Sequence, residues 1–263
     1  MPAITVSELA IAPVKGLRLT PVEELELRTS GAVGDRAFVV VDEADHALLL
    51  TARTPTLVQV VQRWDPVSGV LTLGFADGSE VAAAPSPGEP VSTANYEGRR
   101  ISGRLTSGPH SEALSEHLGR PVRLVALDQS EVGADDFPVT LMSSASVAAL
   151  GKALDGRPPD ARRFRMTITV DGTEPWEEHG WAGREVDVGE AQLRIADPVP
   201  RCVVTTRDPE KGRRDVPVLQ TLAKLRGKKN VTFGVWCEVT RPGRVRRGDP
   251  VVAVGLDNPT HPA

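Results

Sequence analysis

Residues 23–41 read EELELRTSGAVGDRAFVVV. Glu23 to Arg28 alternates acidic and leucine side chains, the period-two pattern of a strand buried on one face. Ala37 to Val41 is a continuous apolar run rich in β-branched residues, as in a strand with both faces covered. Gly34-Asp35-Arg36 stands at the entrance to that second strand. Upstream, Ile4 to Ala12 alternates and then meets Pro13. Downstream, Leu57 to Arg63, Val70 to Phe75 and Glu80 to Ala84 repeat the strand pattern, with an Asp77-Gly78 turn before the last. This spacing predicts a small antiparallel sheet or barrel. Pro85 to Pro90 (PSPGEP) reads as a loop. Ser111 to Leu118 reads as a short helix capped by Ser111, with Leu114 and Leu118 on one face and Gly119 as its stop.

Val122 to Leu127 is a further strand and Ser130 to Phe137 a polar, acidic loop. A second unit starts near here, which divides the chain into domains 1–120 and 121–263. Ser143 to Leu154 reads as a helix with hydroxyls crowded at its start. Phe164 to Val170, Arg184 to Val188, Gln192 to Ala196, Cys202 to Thr206, Val231 to Thr240 and Val251 to Val254 read as strands. Asp215 to Arg226 reads as a helix capped by Asp215, with Leu219, Leu222 and Leu225 as its buried stripe and Gly227 at its end. The predicted fold is mainly β with some helices (α+β).

Hydrophobic residues make up 40% of the 263 and charged residues 25%, which excludes a disordered chain, a collagen and a coiled coil. Aromatics are only 4%, so the core must be built from Val, Leu, Ala and Ile. Net charge is −4, and the nearest basic cluster, Arg244, Arg246 and Arg247, is interrupted by Asp249. No nucleic-acid face is predicted. Six of the 31 basic residues are Lys and the rest Arg, so a single Arg says little about function. The two cysteines lie 35 residues apart with no CxxC. No apolar run approaches the roughly 18 residues of a membrane span, and Glu8 interrupts the place of a signal peptide. The expected location is the cytoplasm, with no membrane partner.

The common cofactor signatures are absent. There is no GxGxxG, no GxxxxGK[ST], no GxSxG and no HExxH, and the five histidines are scattered. Cys202 is the most informative residue. Pro198-Val199-Pro200-Arg201 deliver it to a loop–strand junction beside a guanidinium, where a thiolate can be held. A structural cysteine is the equal alternative from local sequence alone. Cys237, by contrast, alternates with Phe233, Val235 and Val239 and reads as core. Several segments suit an anion: Lys15-Gly16 after Pro13-Val14, Asp35-Arg36, Thr51-Ala52-Arg53, the hydroxyls Ser143, Ser144 and Ser146 at a helix start, and Arg163 and Arg165 around Phe164.

These segments resemble the MOSC family, proteins related to the C-terminal domain of molybdenum cofactor sulfurase. Pro13-Val14-Lys15-Gly16, Gly34-Asp35-Arg36-Ala37-Phe38 and Leu50-Thr51-Ala52-Arg53 look like the family's N-terminal β-barrel domain. Leu141 to Ser146, Arg163-Phe164-Arg165, Arg201 to Pro209, Phe233-Gly234 and Arg247 to Val251 look like the MOSC domain, a second barrel. The resemblance implies a molybdenum–molybdopterin cofactor (Moco), with Cys202 as the catalytic thiolate on the metal. It implies cofactor contacts from Lys15, Gly16, Arg36, Arg53, Ser143, Ser144, Arg165, Arg201, Phe233 and Gly234. At family level it also brings an association with pyridoxal phosphate. Three positions depart from the pattern: Gly16 and Pro200 stand where Ser is familiar, and Met166-Thr167 replaces Pro-Asn.

The implied activity is reduction of N-hydroxylated or N-oxygenated compounds to the amine or amidine. With no iron–sulfur cysteine cluster after Val254, electrons are expected from a separate reductase, ferredoxin-type or cytochrome-type protein. Asp208, Glu177 and Glu178 are the candidate substrate-facing acids, with a solvated surface acid as the alternative for each. The alternative is a non-enzymatic carrier of cofactor or sulfur.

Overall fold

A computed structural model describes residues 3–94, 98–128, 136–156, 158–229 and 231–253. In chain order the strands are β1 (Thr5–Ile11), β2 (Thr20–Val22), β3 (Glu24–Arg28), β4 (Gly31–Ala32), β5 (Phe38–Asp42), β6 (Val61–Asp65), β7 (Val70–Gly74), β8 (Glu80–Ala83), β9 (Ser86–Ala94) and β10 (Arg100–Ser107). They continue with β11 (Val122–Leu127), β12 (Val139–Ser143), β13 (Ile168–Asp171), β14 (Glu185–Val188), β15 (Ala191–Pro200), β16 (Thr232–Arg241), β17 (Gly243–Arg246) and β18 (Val251–Ala253). The α-helices are α1 (His110–Leu118), α2 (Ser144–Lys152) and α3 (Val218–Arg226).

Eight strands form one sheet in the order β18-β14-β15-β16-β12-β13-β1-β2. Its two ends meet. Thr5 bridges Pro250, and the Val251 N–H donates to Ile4 O at 2.9 Å. The sheet therefore curls, barrel-like, around Leu9, Leu141, Ile168, Val186, Leu193, Val235 and Cys237, all buried. The β17-β3-β4 sheet covers one side of this core with Leu25, Leu27 and Val245. A second unit pairs β5-β11-β10-β9 with β6-β7-β8 and α1. The large sheet takes strands from both sides of residue 120.

The opening stretch behaves as its pattern predicts. In β3, Leu25 and Leu27 are buried while Glu24, Glu26 and Arg28 are exposed. In β5, Phe38 and Val40 enter one core and Val39 and Val41 another, so every residue of the run is apolar.

Several elements differ from the sequence reading, each for a local reason. Residues 86–94 are a strand rather than a loop. β9 lies at a sheet edge, where Pro87 and Pro90 forfeit no ladder bond. Pro55 starts a 3-10 turn over Pro55–Gln59, so the predicted strand at Leu57 begins only at Val61. A second such turn, Ala161–Phe164, ends at Arg165 in the left-handed region (φ 55°) and delays β13 to Ile168. Ser111 lies inside α1, which starts from Pro109, and its Oγ accepts from the Leu124 N–H at 3.0 Å. Asp215 does not cap α3 because Arg163 holds its carboxylate. The buried stripe of α3 is Val218, Thr221 and Leu222, and Leu225 is exposed. The predicted loop at Ser130 lies largely outside the described residues. No helix among the described residues is long and apolar enough to cross a membrane.

Candidate functional site

A cavity of about 490 Å³ opens between the two units. Lys15, Gly16, Arg36, Arg165, Arg201 and Cys202 all line it. Six predicted residues from four separate segments therefore share one wall, and the packing of each segment explains why.

The Lys15-Gly16 turn is held by a buried amide. Gln62 accepts from the Val14 N–H at 2.7 Å and donates to Arg18 O at 2.7 Å and Val14 O at 3.3 Å. Gly16 adopts φ +92°, where a Cβ would press on Thr51 and Leu57. A side chain at this position is strained, which accounts for glycine in place of Ser. Arg36, at φ 50°, pairs with Asp35 and donates to Arg165 O at 3.3 Å. Asp35 in turn accepts from the Ala12 N–H at 2.7 Å. Arg165 crosses back to the N-terminal unit and donates to Leu17 O at 2.9 Å.

Cys202 follows β15 and caps a 3-10 turn over Val203–Thr206, not the start of a strand. Its carbonyl accepts from Thr205 N–H and Oγ1, and its thiol is exposed on the cavity side. The adjacent Arg201 donates from Nε to Phe233 O at 3.0 Å, and its guanidinium lies 5.6 Å over the Phe164 ring. Burial pushes its pKa down to about 10, so it remains a cation at neutral pH. Among the described residues no carboxylate pairs with it. A half-buried cation in that state favours an anion in the cavity.

Other predicted residues lie elsewhere. Ser143 ends β12, three residues beyond the cavity-lining Thr140, or about 10 Å at the usual strand rise. Its hydroxyl accepts from the Ala145 N–H and contacts Thr173 Oγ1. Ser144 sits in the first turn of α2, and neither serine is on the wall. Arg53 is exposed beside the wall residues Thr51 and Ala52. Phe233 stands behind the wall, stacked on Phe164 with centroids 3.9 Å apart.

Gly234, at φ +65°, breaks the alternation of β16. Phe233 consequently leaves the face of Val235 and Cys237 and packs in a different cluster. A Cβ on Gly234 would sit 2.3 Å from Met166 Cε and 2.7 Å from Leu141 O. Gly234→Ala should lower stability by about 2–3 kcal/mol in urea unfolding. Gly248→Ala, also at positive φ but in open space, isolates the backbone strain alone. Equal losses in the two variants would contradict the close approach.

The candidate acids are also displaced. Asp208 accepts from Glu210 and Lys211 N–H groups, Glu177 from the Glu174 N–H, and Glu178 is fully buried. None lines the cavity; the carboxylates there are Asp35 and Asp136. Burial pushes the Glu178 carboxyl up, and Ser146 donates to it at 2.9 Å. Its neighbour His179 has a pKa lowered to about 4, first by burial and then by the charges of Arg226 and Arg201. Unfolded His binds its proton near 6.5, so keeping this imidazole neutral costs stability as pH falls from about 6.5 towards 4. Glu178 acts in the opposite sense, with stability lost as pH rises through its raised pKa. In His179→Gln, which keeps Glu178, the urea midpoint should fall less steeply across pH 6.5 to 4 than in the wild type. Parallel profiles would contradict the neutral buried imidazole.

Sequence reasoning missed Gln62 and the aromatic wall. Phe137 stacks on Trp236 with centroids 5.1 Å apart, and both line the cavity. The signal for Trp236 was present, since its parity in β16 opposes that of Cys237.

Residues 3–121 match the family model of the MOSC N-terminal beta barrel domain, and residues 128–252 match that of the MOSC domain. The mitochondrial amidoxime-reducing component 1 of Xenopus laevis is 30% identical over 288 residues, covering 95% of this chain and 82% of its own. The chain belongs to the MOSC family. The Homo sapiens protein of the same name is 27% identical over 287 residues, covering 95% of this chain and 83% of its own. Molybdenum cofactor sulfurase of Danio rerio is 26% identical over 285 residues, covering 95% of this chain but 34% of its own. Lys15, Gly16 and Arg36 fall within the MOSC N-terminal match, and Arg165, Arg201 and Cys202 within the MOSC domain match. The cavity is thus a joint property of the two family regions.

Proposed function

We propose that this protein is a molybdenum-cofactor-dependent reductase of N-hydroxylated compounds, with Cys202 as the protein ligand to the metal. The observation that carries this reading is the exposed Cys202 thiol on a wall shared with Lys15, Arg36, Arg165 and Arg201. Among the described residues no group of three or more His, Cys, Asp or Glu could hold a metal ion. A metal bound at Cys202 must therefore bring further donors with it, as a dithiolene-chelated metal does. A thiolate suits such a soft centre, and the cations suit the chelate's phosphate. The residues present fit the group.

When bound, the cofactor supplies two-electron oxygen-atom chemistry. The protein's residues do the rest. Lys15, Arg36 and Arg165 orient the anionic end, and Arg201 balances negative charge beside Cys202. Phe137 and Trp236 give a planar substrate an apolar face, and Asp136 is the carboxylate nearest them in sequence on the wall. The overall change is RNHOH + 2e⁻ + 2H⁺ → RNH₂ + H₂O. A separate one-electron carrier supplies the electrons, and the reducing cytoplasm is the compartment we assign.

The test is turnover. Protein from a host that makes the cofactor should oxidise reduced methyl viologen when given benzamidoxime or a hydroxylamine. Bound molybdenum without turnover would overturn the reductase and favour the carrier, a role in keeping with the name of the Danio rerio relative.

A further inference from the structure

Four of the six residues Lys224–Lys229 are cationic and none is acidic. They end α3 and continue past it. Lys224, Lys228 and Lys229 are exposed, and Leu225 between them is 49% exposed. Elsewhere on the surface arginines find carboxylates: Arg241 pairs with Asp187, Arg246 with Glu24 and Arg247 with Glu23. Among the described residues none of these three lysines has such a partner. An exposed apolar residue flanked in the chain by these three lysines has the make-up of a protein-docking surface for an acidic partner.

The same patch is joined to Cys202 by packed rings. The Arg226 guanidinium lies 4.6 Å over Trp176. Trp176 meets Phe233 edge-on at 5.4 Å, and Phe233 stacks on Phe164 at 3.9 Å. Arg201 covers Phe164 and is bonded in the chain to Cys202. α3 also packs directly on the Val203–Thr206 turn that Cys202 begins. Electron tunnelling falls more steeply through gaps than through packed, bonded atoms, and this route is packed throughout.

We propose that the C-terminal end of α3 is the docking surface of an acidic one-electron carrier protein, with Trp176, Phe233 and Phe164 as the packed path from it towards Cys202. The path rests on the redox reading of the cavity; the docking surface does not. Each turnover oxidises two reduced carriers by one electron each, takes two protons from solvent, breaks the N–O bond and releases the amine and water.

Two acidic carriers serve as probes, a plant-type [2Fe–2S] ferredoxin and a soluble cytochrome b5 domain, each titrated against the full chain by calorimetry at low and high salt. At least one should bind at low ionic strength and weaken as salt rises. The triple variant Lys224→Glu, Lys228→Glu, Lys229→Glu should weaken that binding at least about tenfold, as charge reversal at a steering surface does. Arg28→Glu, an exposed charge elsewhere, should not. Dye-driven turnover should be unchanged in the triple variant while carrier-driven turnover falls. Trp176→Leu should slow carrier-driven turnover at unchanged carrier affinity, and Trp176→Phe should restore most of it. Failure of both probes to bind, or equal affinity in the triple variant, overturns the docking surface. Carrier-driven turnover unchanged in Trp176→Leu overturns the path. Loss of dye-driven turnover in the wild type instead overturns the reductase reading, and the calorimetry still decides the surface.

Discussion

Cys202→Ser is expected to stop turnover and leave the fold intact. The Cys202 side chain is exposed, and Thr205 bonds to the Cys202 carbonyl rather than to the thiol, so the core does not depend on the side chain. A serine hydroxyl is a hard donor that stays protonated at neutral pH, where a thiolate is a soft anionic ligand. Dye-driven reduction of benzamidoxime should fall at least about a hundredfold, equivalent to about 2.7 kcal/mol in the barrier. The urea midpoint should not move. Cys237→Ser gives the reverse. That thiol is buried within the barrel, where burial raises its pKa, and a hydroxyl there is expected to lower stability by about 1–3 kcal/mol. Full turnover in Cys202→Ser would remove the thiolate from the mechanism.

Asp215→Ala should destabilise the protein by about 3 kcal/mol, the low end of the range for removing one partner of a buried ion pair. Both terminal nitrogens of Arg163 reach Asp215 at 2.7 Å, and one also donates to Arg207 O at 2.6 Å. The Arg163 side chain is only 5% exposed, whereas Asp215 is 29% exposed, so truncation strands the better-buried charge while admitting some water. This pair fixes one end of the 207–215 segment. The segment then ties the two units together beside the cavity. Arg207 donates to Ala52 O, Arg18 to Glu210 O, and Gln59 to Lys211 O. Gly212 lies so close to Pro55 that a Cβ would meet its carbonyl oxygen at 2.3 Å. The variant should therefore show a lower urea midpoint and faster proteolysis within 207–215. An unchanged midpoint would mean that the pair is worth no more than a surface contact.

Strands with a clear period were legible in the sequence, because burial on one or two faces writes itself directly into residue type. The alternation of β3 and the continuous run of β5 are examples. What escaped was set by partners distant in the chain. The prolines of β9 look like a loop until the strand is known to lie at a sheet edge. Asp215 looks like a helix cap until Arg163, 52 residues away, claims its carboxylate. Gly234 looks like one more strand residue, yet its positive φ moves Phe233 into another core. At the cavity, six residues assigned from sequence motifs converge. The hydroxyls at the start of α2 do not, because β12 carries them away from the wall. Gln62 gave no sequence signal, since its role is to satisfy backbone groups of a turn more than forty residues away.

Molybdenum content per chain is the most direct measurement on the cavity. Wild type and Cys202→Ser would be purified from a host shown to load a known molybdenum enzyme, and both would be assayed by inductively coupled plasma mass spectrometry. A cofactor held through Cys202 predicts near-stoichiometric molybdenum in the wild type and loss of most of it from the variant on dialysis. No molybdenum in the wild type, or equal retention in both, would contradict the thiolate site.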